Sequence, residues 1–426
     1  VTGIIATFRT SFSPLRIPNF RIYLGGQAIS LIGTWLQATA QGWVVWELTQ
    51  SSAALGIVTM LGTLPILLLG LWAGAWADRF DRRKLLIGTQ IGAMVLAFVL
   101  AFLVQSGTVQ LWHVYVLSLL LGIITALDMP AQGAFIGDLS GMAEVRKAVK
   151  LNVMIIQVSR LVGPALAGYI VARLGAAPAF WLNGLSFLAV VISLLAVRSS
   201  QVRSTANVSP LRQAAEGIRF IGTQPRLLDL YIFAGMVVFF VLSIIFSQLP
   251  AVASEVLKGD AETLGALMAS SGAGALVGVL FVVPLAQAQR RSGIVLGAAT
   301  IWMSLWLLVF SVSTALPMSF ASLFLASMAA PTVLTLAIGL IQVMSPPAMR
   351  ARLLSLFTIV SFGFQPIAAG LLGYSAEHFG VQTAIQINAL LLLAGALLML
   401  VFRTELRRWQ VNLGTPSTPT PAVEGA

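Results

Sequence analysis

Twelve apolar runs constrain this chain more than any other feature. They lie near 22–46, 53–77, 85–105, 111–135, 150–172, 178–197, 228–250, 262–286, 293–313, 317–343, 353–376 and 381–402. A helix of about 20 apolar residues spans the hydrocarbon of a bilayer. Inside lipid every backbone N–H and C=O needs a partner within the protein, so these runs are expected to be membrane-crossing helices. Composition agrees, with 58% hydrophobic and 9% charged residues, against about 25% charged in a soluble domain. The expected fold class is an all-α integral membrane protein, its twelve transmembrane helices grouped as two six-helix bundles. Residues 1–197 are read as the N-terminal bundle and 198–227 as a cytoplasmic linker. Residues 228–404 are read as the C-terminal bundle and 405–426 as a disordered cytoplasmic tail rich in Pro and Thr. In the linker, Leu211, Ala214, Ala215, Ile218 and Ile221 recur at helical spacing, which predicts an amphipathic helix on the membrane surface.

The basic residues orient the chain. Of 25 Lys and Arg, Arg160 lies within a span, and Arg173 and Lys258 fall on one side of the membrane. The other 22 fall on the side that carries both termini, which the positive-inside rule makes cytoplasmic. Basic residues in short clusters between apolar runs are a topology signal, so no nucleic-acid partner is expected. With no cysteine and two histidines, no metal or cofactor is expected. No cleavable leader is read at the start, because the first apolar run leads straight into the bundle. The expected partners are lipid and a small molecule, and the expected state is a monomer.

The two halves resemble each other. Ser159, Pro164, Ala167 and Gly168 recur 202 positions later as Ser361, Pro366, Ala369 and Gly370. Asn183 and Arg198 recur as Asn388 and Arg403, and Arg82-Arg83 as Arg290-Arg291. Two six-helix repeats are a transporter arrangement, with a site near the midplane between the halves.

Several polar residues lie where lipid contact would penalise them. Gln27, Ser30, Thr34, Gln37 and Gln41 follow steps of three and four, so they share one stripe of the first helix. Unpaired in lipid they would cost several kcal/mol in total. The stripe is therefore read as facing a polar cavity, with Gln37 and Gln41 contacting substrate; the alternative is hydrogen bonding between helices. Asp128 in the fourth span and Arg160 in the fifth are the intramembrane charges, and such charges default to a functional assignment. They are candidates for proton coupling, with Asp128 as carrier and Arg160 as a partner in one state. The competing reading is a fixed ion pair joining two helices. The small-residue stripes Gly70/Gly74 and Ser270/Gly274/Gly278 are read as packing surfaces.

Residues 74–84 read Gly-Ala-Trp-Ala-Asp-Arg-Phe-Asp-Arg-Arg-Lys. Gly74, Asp78, Arg79, Arg82 and Arg83 resemble the loop G-x-x-x-D-R-x-G-R-R between helices two and three of the major facilitator superfamily. Asp81 stands where that pattern has glycine. In the fifth span Ser159, Gly163, Pro164 and Gly168 resemble the superfamily's antiporter motif G-x-x-x-G-P-x-x-G-G, with Ser159 and Ala167 replacing two glycines. The Asp-Arg-x-Asp-Arg-Arg form of the loop and the segment Asp128-Met129-Pro130-Ala131 are similar to the branch that contains the enterobactin exporter and related siderophore and drug exporters.

That resemblance implies the major facilitator fold and proton-driven efflux of a small organic molecule from the cytoplasm across the inner membrane. It also implies that the loop is a gate, with Asp78 and Arg79 latching the cytoplasmic ends of the bundles. No G-x-x-x-x-G-K-[ST] occurs, so an ion gradient or the substrate's own gradient must drive transport. A lipid or lysophospholipid flippase on the same fold is the alternative, and a membrane receptor a weaker one. An enzyme is not expected, since no Ser-His-acid set or cofactor fingerprint is present.

Overall fold

The computed structural model describes residues 12–197, 210–289 and 291–403, which form helices and, among the described residues, no strand. After a 3₁₀ turn at Ser13–Arg16, α1 runs Pro18–Thr49, α2 Ser52–Arg79 and α3 Arg82–Gln105. Their ends follow local chemistry. Pro18 opens α1, the Ser51 hydroxyl caps α2 by accepting from the Ala54 N–H, and Asp81 caps α3 from the Lys84 N–H. The run Leu111–Leu174 is continuous except at Gly141. There φ is +69°, a left-handed conformation that glycine adopts without steric penalty. This break separates α4 (111–140) from α5 (142–174). The expected loop between spans four and five is thus mostly helix, turned at one residue.

Next come α6 (Ala177–Ala196) and the short α7 (Pro210–Thr223). The second half contains α8 (Pro225–Val256), α9 (Ala261–Gln287), α10 (Ser292–Val312), α11 (Leu316–Met344), α12 (Pro347–Phe379) and α13 (Val381–Phe402). Among the described residues, ten runs are long and apolar enough to cross a membrane. One of them, Leu111–Leu174, supplies both α4 and α5. At 32 residues α1 is also long enough to cross, and it carries the polar stripe. The expected tail, 405–426, and the first part of the linker, 198–209, lie outside the described residues.

In the first half α1 packs on the α4–α5 run and on α6, and α3 packs on α6; in the second, α10 packs on α11 and α13 and α9 on α11. The halves join along two seams, α2 on α12 and α5 on α9. At the end opposite the Arg82–Lys84 cluster, here the far end, both seams bring backbones together. A Cβ on Gly168 would lie 2.8 Å from the Ala261 carbonyl oxygen and 3.0 Å from the Gly265 Cα. A Cβ on Gly56 would lie 2.5 Å from the Ala369 oxygen and 3.0 Å from the Gly373 Cα. Towards the basic end the α2 seam opens. Gly70 and Gly74 have open space where a side chain would go, and Leu68, Trp72 and Trp76 are exposed. There α7 packs against α12: Gly217 and the buried Ile221 turn inward, and Glu216 pairs with Arg352 at 2.6 Å. Ile218, expected on the apolar face, is exposed.

Helix α8 contains three π turns, at Val238–Leu242, Ile244–Gln248 and Val252–Val256. Wider turns leave carbonyls without their usual partners. One of these, on Phe246, accepts from the Thr59 hydroxyl of α2 at 3.2 Å. The Gln248 amide donates to the Ser52 carbonyl at 3.3 Å, so α8 also ties the halves together at the far end.

Gly168→Val tests the α5–α9 seam. Overpacking a close contact costs about 1–3 kcal/mol, roughly 5- to 150-fold in the equilibrium between far-end-closed and far-end-open forms. Because the chain has no cysteine, Thr49→Cys offers a single labelling site at the far end. Its reaction with an impermeant maleimide should accelerate when Gly168→Val is added, and an unchanged rate would mean that this seam does not hold the far end shut.

Candidate functional site

Among the described residues, two charged side chains lie in the middle of crossing helices, Asp128 on α4 and Arg160 on α5. Asp128 is buried on α4. Its Oδ1 accepts from the Thr89 hydroxyl at 2.5 Å and the Gln90 amide at 3.1 Å, both from α3. Its Oδ2 accepts from Gln132, one turn along α4, at 2.6 Å. The Gln27 amide of α1 donates to Gln132 at 3.3 Å, extending the network to the polar stripe. Every hydrogen-bond partner of the carboxylate is neutral.

Arg160 on α5 is half-buried and lies elsewhere. Its Nη2 donates to the Ser271 hydroxyl of α9 at 3.2 Å, and Ser271 bonds Ser327 at 2.9 Å. The guanidinium carbon is 5.7 Å from the Trp35 ring centre and 5.5 Å from that of Phe246. Those rings, from opposite halves, stack at 5.6 Å with 23° between their planes. Pro164 has no N–H to offer the Arg160 carbonyl one turn earlier. A Cβ on Gly272 of α9 would meet that carbonyl oxygen at 2.6 Å, so the freed oxygen lies on the seam. Asp128 and Arg160 share no partner and do not pair; the expected ion pair is not formed in this structure.

The stripe on α1 divides. Gln37 is buried and accepts from the Asn183 amide of α6 at 2.7 Å, so it is committed to packing rather than to the cavity. Ser30 is also buried, and its carbonyl accepts from the Thr34 hydroxyl at 2.9 Å. Gln41 donates to Ser118 of α4 at 2.9 Å, while Gln27 belongs to the Asp128 network. The stripe thus bonds mainly to neighbouring helices of its own bundle, and the Gln37 oxygen, expected to meet substrate, is engaged by Asn183 in this structure. The physical reason is that α6 presents Asn183 at the same depth.

The described part of the candidate gating loop also works within the first bundle. Asp81, the departure from glycine, caps α3. Arg82 reaches both oxygens of Asp138 on α4 at 2.9 and 3.0 Å. Arg83 donates to the terminal carbonyls of α6, Leu194 at 2.6 Å and Leu195 at 2.7 Å. The side chains of Asp78 and Arg79 lie outside the described residues. In the helix-five motif Ser159 is buried, Gly163 packs on α1 against Trp35 and Ile32, and Gly168 packs on α9. Of the small-residue stripes, Ser270, Gly274 and Gly278 pack on α11, as expected. An apolar cavity of about 370 Å³ lies between α8 and α12, lined by Tyr231, Met236, Phe239, Phe240, Val360 and Phe364 among others.

The family model described as transmembrane secretion effector matches residues 9–425. The chain belongs to the major facilitator superfamily. Among relatives of this facilitator, the uncharacterized MFS-type transporter YfiS of Bacillus subtilis is 30% identical over 60% of the chain and 61% of its own length. The staphyloferrin A transporter of Staphylococcus aureus is 26% identical over 61% of the chain and 66% of its own length. These two matches therefore span less than two thirds of each relative. The enterobactin exporter EntS of Shigella boydii is 25% identical over 92% of the chain and 94% of its own. Among solved structures, a bacterial homolog of the human lysosomal transporter Spinster superposes with a TM-score of 0.70 at 15% identity, covering 95% of this chain and 99% of that one. The facilitator is a multi-pass membrane protein of a transporter family, and not an enzyme.

Reading the facilitator's sequence alone missed Thr89, Gln90 and Gln132. Gln132 was within reach, since a residue four positions after Asp128 shares its helix face. Thr89 and Gln90 needed the tertiary pairing of α3 with α4.

Two substitutions separate the parts of the stripe. Gln37→Leu leaves the Asn183 amide unpaired and should lower stability by about 1–2 kcal/mol, read as a fall in the thermal midpoint in detergent, with flux per folded molecule preserved. Gln27→Leu should alter flux instead. A Gln37→Leu protein that folds normally but cannot transport would return Gln37 to the cavity.

Proposed function

We propose that this protein is a secondary active exporter of a small organic molecule, with the basic end and both termini in the cytoplasm and the described conformation open towards the cytoplasm. The observation that carries the reading is the unequal packing of the two ends. Backbones touch along both seams at the far end, whereas at the basic end the α2 seam spreads around Gly70 and Gly74. A rocking motion that reversed this inequality would expose the central face to each side in turn. Relatives named as a staphyloferrin A transporter and an enterobactin exporter support this reading. Asp128 takes the role of proton carrier: it is a buried carboxylate held by neutral donors, between α3 and α4 and linked through Gln132 to α1. Protonation would remove one acceptor from this network and loosen it, coupling proton occupancy to helix packing. The apolar cavity between α8 and α12 supports a second reading, in which an acyl chain docks there and the protein moves a lysolipid.

Proteoliposomes with the basic end facing the bath test both. An acidic lumen should drive accumulation of an exported substrate, screened among catecholate siderophores, hydrophobic cations and lysolipids. Asp128→Asn should abolish accumulation while leaving counterflow exchange measurable. Accumulation by Asp128→Asn would place the proton elsewhere, and flux of lysolipids alone would favour the second reading.

A further inference from the structure

We propose that Arg160, beside Trp35 and Phe246, is the recognition point for an anionic group, and that the transported molecule is an organic anion bearing a carboxylate on an aromatic or apolar body. This rests on the reading of the central face as the transport cavity and names the substrate class.

The charge distribution carries the inference. Among the described residues, Asp128 and Arg160 are the two charged side chains in the middle of crossing helices. A cationic substrate would need the carboxylate, but Asp128 is already enclosed, with two donors on one oxygen and one on the other, all from its own bundle. Arg160 is in the opposite condition. A guanidinium offers five N–H donors in a planar fork, and among the described residues one hydroxyl, Ser271, accepts from it. The rings of Trp35 and Phe246 lie beside it, and aromatic rings favour a cation without neutralising it. A charge held at membrane depth with no counter-charge is disfavoured, and a fork of this shape matches a carboxylate through two parallel hydrogen bonds.

The neighbours suit the rest of such a molecule. Trp35 comes from α1, Phe246 from α8 and Ser271 from α9, so an anion at Arg160 would touch both halves of the protein at once. Phe246 lies within a π turn, a local geometry found frequently at functional sites. Arg160 is also absent from the repeated framework. The counterpart 202 positions later is Phe362, although Ser159 and Pro164 around it are both repeated. A guanidinium needed only to join helices would have a reason to recur with the motif that houses it.

The test uses three ligands of one shape in the full-length protein: 2-naphthoate, 2-naphthamide and 2-naphthylmethylamine, titrated in detergent at constant ionic strength. The wild type should bind the carboxylate at least 10-fold tighter than the amide and the amine. Arg160→Gln should lose that preference through a fall of about 10- to 100-fold in carboxylate affinity, with amide affinity within a few-fold of wild type. Arg160→Lys keeps the charge without the fork and should fall in between; it also serves if the Gln variant does not fold. Ser271→Ala frees the guanidinium and should leave carboxylate affinity equal or higher, whereas a purely structural arginine would lose stability there with no change in ligand preference. Equal wild-type affinity for the three ligands, or a preference that survives in a folded Arg160 variant, overturns the proposal. Flux of the same ligands in proteoliposomes separates the two claims. Export of the amine unaffected by Arg160→Gln would keep the transporter reading and sink this one, and Arg160-dependent binding of the carboxylate without flux would do the reverse.

Discussion

Backbone-to-backbone contact between the two halves is the constraint on which the rest of this structure depends. Lipid tails give no hydrophobic reason for one apolar helix to prefer another, so association inside a membrane relies on close packing and hydrogen bonds. Here the packing is concentrated where side chains are missing, at Gly168 against Gly265 and at Gly56 against Gly373. A contact made of backbone alone has two consequences. It is tight, because nothing holds the axes apart. In the proposed rocking motion it would also part cleanly, because no side chain has to leave an interlocked site. Polar additions at the same end, Thr59 on the Phe246 carbonyl and Gln248 on the Ser52 carbonyl, use weak single hydrogen bonds of 3.2 and 3.3 Å. These hold the seam in register without fixing it.

The internal repeat explains why there are two such seams. Pro164 and Gly168 of α5 meet Gly265 of α9, and the repeated Pro366, Ala369 and Gly370 lie on the stretch of α12 that meets Gly56 of α2. One motif serves twice, each copy facing the other half. In each copy the proline withdraws an N–H from the carbonyl one turn earlier. In α5 that carbonyl is the one on Arg160, which lies against Gly272. The motif read in the sequence as a mark of antiporters is, in physical terms, a way to bring a helix backbone with a freed acceptor against a glycine face.

What the sequence made legible follows from which interactions are local. The spans were readable because apolar length is a property of a continuous segment, and the turn between α2 and α3 because its charges sit side by side. The Asp81 cap on α3 was equally local, although it was noticed only as a departure from a family pattern. The break between spans four and five was legible, but not that it narrows to Gly141, because helical residues continue on both sides and one residue at φ +69° makes the whole turn. The stripe on α1 illustrates the harder failure. Periodicity shows that five polar side chains share a face, and it is silent on what stands opposite. Asn183 on α6, Ser118 on α4 and Gln132 on α4 answered that question differently for Gln37, Gln41 and Gln27. The Asp128 shell was hidden for the same reason, since two of its three donors come from another helix.

The two midplane charges differ in a way that bears on the rocking motion proposed above. All partners of Asp128 belong to one bundle, so its shell can travel intact when the bundles move relative to each other. The partners of Arg160 are divided, with Trp35 in its own bundle and Phe246 and Ser271 in the other, so no relative motion of the bundles leaves its surroundings unchanged. A group with divided partners senses the conformation directly, because its contacts are made and broken by the motion itself. A group with undivided partners can sense conformation only through changes in the packing around its shell, here along the Gln132–Gln27 link to α1. The same helix carries Trp35, two turns beyond Gln27, and reaches the Arg160 cluster. Helix α1 therefore reaches both clusters, through Gln27 on Gln132 beside Asp128 and through Trp35 beside Arg160, so a path between the two charges exists along one helix without an ion pair.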